Sequence, residues 1–252
     1  MKYIDIHTHI AYGLDDGAKS LEESIQFLQE AQKHQYEAIV LTPHIKEVNP
    51  TYYGQIKQRY LELQQLSNDI KLYLGSELLL NEQTGDLLKS KQFYTMNESS
   101  YLLIECDVRA SYHHMLDALD TYLNTILSLG YTPIIAHIER YYKDEIDLDY
   151  VEYLIQKGCI IQINTTSILS EYTKIQPLLD QQMVHVIASD AHDLERRVLN
   201  MDDIYHILLK KHYDKIYLED LMYHHPKSIV ENRPIHIRTY KKRSLFHKLM
   251  GR

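Results

Sequence analysis

The chain has 252 residues, 44% of them hydrophobic and 25% charged, which suits one large globular domain and excludes intrinsic disorder. Its formal net charge is −8, which excludes a nucleic-acid-binding sheath and would repel a phosphorylated ligand unless the site supplies cations of its own. No apolar run approaches the roughly 18 residues of a membrane span, and Met1-Lys2-Tyr3-Ile4-Asp5 lacks a signal peptide's apolar core, so a cytoplasmic protein is expected.

In chain order, the pattern predicts a strand at Lys2–Ile6 and a helix at Leu21–His34. The helix opens with Ser20-Leu21-Glu22-Glu23, a capping box in which Ser20 and Glu23 satisfy free amides reciprocally. A strand at Ala38–Leu41, a helix at Tyr53–Asn68 and strands at Lys71–Ser76 and Tyr101–Cys106 follow. Then come a helix at Tyr112–Leu129, a strand at Thr132–Ala136, a helix at Val151–Lys157 and a strand at Cys159–Asn164. A helix at Tyr172–Gln182, a strand at Val184–Ser189 and helices at Asp202–His212 and Pro226–Asn232 complete the series. The strand runs are apolar at consecutive positions, as in parallel strands covered on both faces. No Gly-, Ser- or Pro-rich linker and no repeat divides the chain, so about seven βα units in one closed or nearly closed barrel are expected.

Side chains able to bind metal stand at or just after nearly every strand end, where barrel folds place their sites. The first run leads to His7 and His9, whose i, i+2 spacing on an extended chain sends both imidazoles to one face. The following loop carries Asp15-Asp16-Gly17. The next strand ends supply His44, Glu77, Glu105 and His137, the last followed by Ile138-Glu139-Arg140, and the seventh repeats the i, i+2 pairing at Asp190 and His192. Only the sixth strand, ending in Asn164, lacks a strong ligand. Asp5, Glu139, Asp144, His113, His114, His224 and His225 are read as structural or surface residues, Asp5 with the option of orienting an imidazole. Cys106 and Cys159 lie in apolar runs and read as buried thiols. Neither begins a Cys-x5-Arg phosphate loop, since Tyr112 and Thr165 stand six residues on.

These motifs, Asp5-Ile6-His7-Thr8-His9, Asp15-Asp16-Gly17, Ile135 to Tyr141 and Ala188 to His192, resemble those of the PHP (polymerase and histidinol phosphatase) superfamily. The resemblance is stronger to its bacterial protein-tyrosine phosphatase branch, associated with capsule and exopolysaccharide synthesis, and spans roughly residues 1–235. It implies an α/β fold of the PHP type, a distorted (βα)7 TIM-like barrel in a single domain, with up to three metal ions, usually Mn²⁺. By the same resemblance His7, His9, Glu77 and Asp190 surround one ion. Glu77 bridges to a second held with Glu105 and His137, and Asp16, His44 and His192 hold a third. Sequence logic alone does not separate Asp15 from Asp16. The donor chemistry suits Mn²⁺, Fe, Co or Zn alike. Three divalent ions would carry about +6 against the carboxylates of Asp16, Glu77, Glu105 and Asp190, leaving a positive pocket in an acidic protein.

Arg140 is the candidate phosphate clamp, because a guanidinium binds two oxygens bidentately and keeps its charge. His44 and His192 are candidates for assisting the leaving group. Tyr12, Tyr112, Tyr141 and Tyr142 are candidates for stacking on a substrate ring, against the plainer reading of packing residues. The resemblance implies a phosphotyrosine protein as substrate, namely a membrane-associated bacterial tyrosine autokinase. Rival readings are a histidinol-phosphatase-like enzyme of the same superfamily, an amidohydrolase, and a non-catalytic metal-binding docking module.

Beyond the expected domain, residues 1–235, lies a basic tail, 236–252. Ile235 to Arg252 hold six Lys or Arg and no acid, a candidate for docking to the kinase or to an anionic membrane surface, although short basic ends are ordinarily solvated. On the docking reading, truncation after Arg233 leaves hydrolysis of a small aryl phosphate unchanged and weakens action on the kinase. Equal loss of both activities in paired assays would make the tail structural instead.

Overall fold

A computed structural model describes residues 1–107 and 112–237, with side chains of 112–115 not included. The predicted roles of Tyr112, His113 and His114, and the basic segment from Arg238 onward, therefore lie outside the described residues.

The strands are β1 (Tyr3–Thr8), β2 (Tyr36–Leu41), β3 (His44–Ile45), β4 (Lys71–Leu74), β5 (Glu77–Leu80), β6 (Tyr101–Cys106), β7 (Thr132–Ile135), β8 (Ile160–Asn164) and β9 (Val186–Ala188). Around them stand α1 (Leu21–Lys33), α2 (Pro50–Leu66), α3 (Thr84–Ser90), α4 (Tyr112–Ser128), α5 (Leu148–Gln156), α6 (Thr165–Ser170), α7 (Tyr172–Asp180), α8 (Met201–Lys210), α9 (Lys215–Glu219) and α10 (His225–Val230). All strand pairs are parallel, in a three-stranded piece ordered β1-β2-β4 and a six-stranded piece ordered β3-β5-β6-β7-β8-β9.

Seven of the nine segments fall on the predicted strands, whereas β3 and β5 lie beyond the predicted ends of the second and third and continue them after a break. The second breaks at Thr42-Pro43, where proline has no amide to donate, and the third at Gly75-Ser76. Backbone bonds carry the ladder across both breaks, from Gly75 N to Leu41 O (2.9 Å) and from Glu77 N to Pro43 O (3.1 Å). The remaining seam lies between β9 and β1. There Asp190 N donates to His7 O (2.9 Å) and His9 N to Ala191 O (2.8 Å), so the sheet curls back onto its first strand. Asp5, fully buried beside this seam, accepts from the amides of His7 (3.2 Å) and Ser189 (3.2 Å). It ties strand ends together and does not orient an imidazole. Burial pushes its pKa up to about 6 despite those bonds.

The expected βα barrel is thus the observed architecture, with differences at element boundaries. Helix α2 starts three residues earlier than predicted, because Asn49 caps the Tyr52 amide (3.0 Å) and Pro50 occupies the first turn. Ser20 caps α1 as expected by accepting from Glu23 N (3.3 Å), but the Glu23 carboxylate reaches the Lys19 amide (2.7 Å) instead of that of Ser20. The short helices α3, α6 and α9 were not anticipated, since five to seven residues are too few to establish a 3.6-residue period. Both cysteines are buried and in no disulfide, each thiol pushed by burial up to about 12. Among the described residues no helix is long and apolar enough to cross a membrane.

His185, just before β9, is a buried imidazole whose Nδ1 accepts from the Ile161 amide (3.0 Å), while its own carbonyl faces His225 Nδ1 (2.7 Å). Burial first, then the charge of His225, lowers its pKa from 6.5 to about 4. A depressed imidazole pKa means that the unfolded chain takes up a proton that the folded chain refuses, so stability falls as pH drops from about 6.5 toward 4. Between pH 7.5 and 5.0 the His185→Gln variant, which keeps an acceptor for Ile161, should lose about 2 kcal/mol less stability than the parent in urea titrations. Equal losses would show that His185 does not carry this acid sensitivity.

Candidate metal centre

The rim of β1 delivers His7 from within the strand and His9 just after it. Their Nε2 atoms lie 3.2 Å apart and both rings are fully buried. Splitting the second and third strands creates the short β3/β5 ladder in which His44 and Glu77 are direct register partners. Glu105 comes from β6, His137 follows β7, and Asp190 and His192 follow β9. His137 (φ 31°) and Asp190 (φ 53°) adopt left-handed backbone conformations, which cost L-residues about 1–3 kcal/mol each and persist where the surroundings enforce them.

These residues form four overlapping groups with ligand atoms close enough to share an ion: His9, Asp16, His44 and His192; His7, His9 and Asp190; His7, Glu77 and His137; and His44, Glu77 and Glu105. All nine predicted ligands are therefore brought together. Glu77 is central, with carboxylate oxygens 3.2 Å from His7, 3.1 Å from His9, 3.1 Å from His44 and 3.1 Å from His137. Burial pushes its pKa up, but the imidazoles reverse this and hold it well below the carboxylate range. Burial likewise opposes charging His9 and His137. The charge and hydrogen bond of Asp15 raise His9 to about 9, and Glu105 and Glu77 raise His137 to about 9. The His192 pKa is lowered by burial and by the neighbouring His9.

The adjacent aspartates separate in space. Asp16 reaches His44 (3.4 Å) and His192 (3.5 Å), whereas Asp15 turns inward, accepting from His9 Nδ1 (2.7 Å) and from the amides of Gly17 (2.9 Å) and His44 (3.1 Å). Gly17 makes the turn fit, since a Cβ there would lie 1.9 Å from the His9 carbonyl oxygen. His192 Nδ1 meets the Asp190 carbonyl oxygen (2.9 Å). His9 and His192 thus each use Nδ1–H to fix the ring and leave the Nε2 lone pair for the cleft.

The donor set fits a cluster of divalent cations. His44 Nδ1, Glu77 Oε2, Asp190 Oδ1 and His192 Nε2 are buried and have close neighbours in the cluster but no hydrogen-bond partner. Leaving several such atoms unsatisfied is expensive in a packed interior, and bound cations would satisfy them all. Mixed imidazole and carboxylate donors suit borderline-to-hard divalent ions.

The cluster floors a cleft of about 890 Å³ whose walls include Leu14, Tyr52, Leu79, Lys46, Arg140 and Arg197. Arg140 is at this mouth, Nη1 3.6 Å from Asp190 Oδ2, and Arg197 Nη2 pairs with the same oxygen. Arg197 was missed from sequence because it lies seven residues past Asp190 in an irregular loop. That loop folds back when His192 N and Asp193 N donate to the Arg197 carbonyl (2.9 and 3.3 Å). Of the stacking candidates whose side chains are described, Tyr141 and Tyr142 are buried and Tyr12 bonds Glu62 (2.7 Å); none of these three lines the cleft. Tyr52 does, its hydroxyl held by the Leu14 carbonyl (3.1 Å). The sixth strand contributes amides in place of ligands: Gln162 and Asn164, an i, i+2 pair in an otherwise apolar run, contact His7 and Asp190.

Residues 3–231 match the family model described as "Capsular polysaccharide synthesis, CpsB/CapC". The chain is 34% identical to the tyrosine-protein phosphatase CpsB of Streptococcus pneumoniae, over 92% of this chain and 100% of that one. It is 32% identical to the putative tyrosine-protein phosphatase CapC of Staphylococcus aureus, over 84% of this chain and 86% of that one. In fold it is similar to a chain from the crystal structures of YwqE from Bacillus subtilis and CpsB from Streptococcus pneumoniae, described as unique metal-dependent tyrosine phosphatases. The TM-score is 0.75 at 23% identity, covering 96% of this chain and 99% of that one. The strand-end motifs, the curled parallel sheet and the match along nearly the whole length agree: this chain belongs to the CpsB/CapC family of capsular polysaccharide synthesis proteins.

Proposed function

We propose that the chain is a metal-dependent protein-tyrosine phosphatase acting on a phosphotyrosine protein, a bacterial tyrosine kinase that controls capsule or exopolysaccharide synthesis. The observation that carries this reading is the convergence of nine buried or rim His, Asp and Glu side chains, several with unsatisfied lone pairs, beneath two arginines in one cleft. In this reading His7, His9, Asp16, His44, Glu77, Glu105, His137, Asp190 and His192 hold up to three ions, with Mn²⁺ as the expected metal. Bound divalent ions supply Lewis-acid activation of water and charge neutralisation of the phosphoryl group.

The protein's own groups bind and orient the ester. Arg140 and Arg197 face it from one wall, each with guanidinium donors left for phosphate oxygens after their contacts with Asp190. Tyr52, Leu14 and Leu79 offer an aromatic and apolar wall for the phenyl ring, with Tyr52 immobilised by its bond to Leu14. On this reading His44 and His192 are engaged as metal ligands and do not also pass a proton to the departing oxygen. A phenolate with a pKa of about 10 needs less such help than an alkoxide, which favours phosphotyrosine over phosphoserine. The thiol route has no place here, because Cys106 and Cys159 are buried, protonated and away from the cleft. The segment 236–252 is proposed as a docking tail for the kinase or the adjoining membrane surface.

Chelator-stripped protein resupplied with Mn²⁺, Mg²⁺ or Zn²⁺ should regain hydrolysis of a phosphotyrosine peptide, most with Mn²⁺, and act far less on phosphoserine. Activity that survives chelation would overturn the metal requirement, and faster turnover of histidinol phosphate would overturn the substrate. Arg140→Ala should lower kcat/KM about a hundredfold while elemental analysis finds the metal content unchanged. A parental kcat/KM would remove Arg140 from phosphate binding.

A further inference from the structure

Of the seven predicted strand runs, Cys159–Asn164, which forms β8, is the one that offers no ligand to the cluster, yet it places two primary amides beneath it. Gln162 Oε1 lies 2.8 Å from the His137 amide nitrogen and 3.1 Å from His7 Nδ1. Gln162 Nε2 donates to Asn164 Oδ1 (2.8 Å), and Asn164 Nδ2 donates to Asp190 Oδ2 (2.7 Å). The Asn164 backbone amide is anchored in turn by Glu139 Oε1 (3.0 Å), and Gln162 and Asn164 are both buried.

The chain of bonds permits one assignment of donors. Asp190 Oδ2 accepts from both Asn164 Nδ2 and Arg197, so the other Asn164 amide atom must be an acceptor. Gln162 therefore points its NH₂ at Asn164 and its carbonyl toward His137 and His7, which the backbone N–H of His137 independently requires. An amide oxygen cannot donate, so His7 must carry its proton on Nδ1. Its Nε2 lone pair then faces Glu77 (3.2 Å) and Asp190 (3.3 Å). At the other end, Asn164 and Arg197 occupy Asp190 Oδ2 and leave Oδ1 as the free, buried oxygen.

We propose that Gln162 and Asn164 form a positioning relay for the metal centre, fixing His7 as the Nδ1–H tautomer, seating the His137 backbone and turning Asp190 Oδ1 toward the ions. A carboxylate in the place of Gln162 would fix His7 as well, but its charge would oppose the neighbouring Glu77 and Asp190. The neutral amide orients the ring without adding a negative charge to a crowded site. The inference rests on the metal centre of the proposed function and not on its substrate.

The test uses full-length protein loaded with Zn²⁺ for nitrogen NMR of the imidazoles and with Mn²⁺ for chelator competition, with His7→Gln supplying the assignment. In the parent, His7 should be protonated on Nδ1. Gln162→Leu should lose that tautomer preference and release one ion at 10- to 100-fold lower chelator concentration. Gln162→Glu, which keeps an acceptor at the same place, should retain the tautomer. Should Gln162→Leu fail to fold, Asn164→Leu carries the affinity measurement, with the same loss expected at one ion. An Nε2-protonated His7 in the parent would overturn the relay, as would equal behaviour of the Leu and Glu variants at position 162 or an Asn164→Leu variant with parental affinity. A protein with the Nδ1–H tautomer and tightly held ions that ignores phosphotyrosine would sink the proposed activity and leave this relay standing.

Discussion

A carboxylate wholly removed from water keeps its charge only if cations or donors surround it, and the rest of this molecule is arranged around meeting that condition at Glu77. Its side chain is essentially inaccessible, and four imidazoles from β1, β3 and the loop after β7 approach it within 3.2 Å. Two of these imidazoles are held on their far side as well, His9 by Asp15 and His7 by Gln162. The interior of the barrel is thus ordered outward from one anion, and the seam between β9 and β1, tied by Asp5, must close for these partners to meet.

Satisfying that condition with protonated imidazoles alone leaves a poor account of the lone pairs. His44 Nδ1, His192 Nε2, Glu77 Oε2 and Asp190 Oδ1 are all buried in the cluster without hydrogen bonds. A proton has one donor direction, whereas a divalent ion can satisfy several of these atoms at once, which is why mixed oxygen and nitrogen clusters of this density suit metal binding better than a network of charged histidines. The left-handed conformations of His137 and Asp190 belong to the same economy of space: each strand ends abruptly so that its next side chain points inward.

The i, i+2 periodicity of an extended chain made His7 with His9, and Asp190 with His192, legible before any fold was known, and consecutive apolar runs announced the parallel strands. What stayed hidden depended on geometry that pattern does not encode. The pairing of His44 with Glu77 follows from breaks at Thr42-Pro43 and Gly75-Ser76 that divide two strands. Asp15 and Asp16 are chemically identical neighbours, and only the turn through Gly17 sends one inward and the other toward His44 and His192. Gln162 and Asn164 drew no attention because neutral amides are weak ligands, although two of them in the run Cys159 to Asn164 were the visible irregularity. Arg197 arrives by a loop that doubles back, with no period to betray it.

The same geometry answers the problem posed by a formal charge of −8. Asp15, Asp16, Glu77, Glu105 and Asp190 bring more negative charge to the cleft than Arg140 and Arg197 can offset, and both arginines already lean on Asp190. A phosphate dianion entering that cleft would meet net repulsion from the protein alone. On the proposed reading the cations therefore precede chemistry: they reverse the sign of the cleft, and only then do the guanidinium donors left free by Asp190 become a binding surface for the ester. Affinity for substrate and occupancy of the metal positions are in this way one electrostatic property, set by how many carboxylates the barrel converges on a single point.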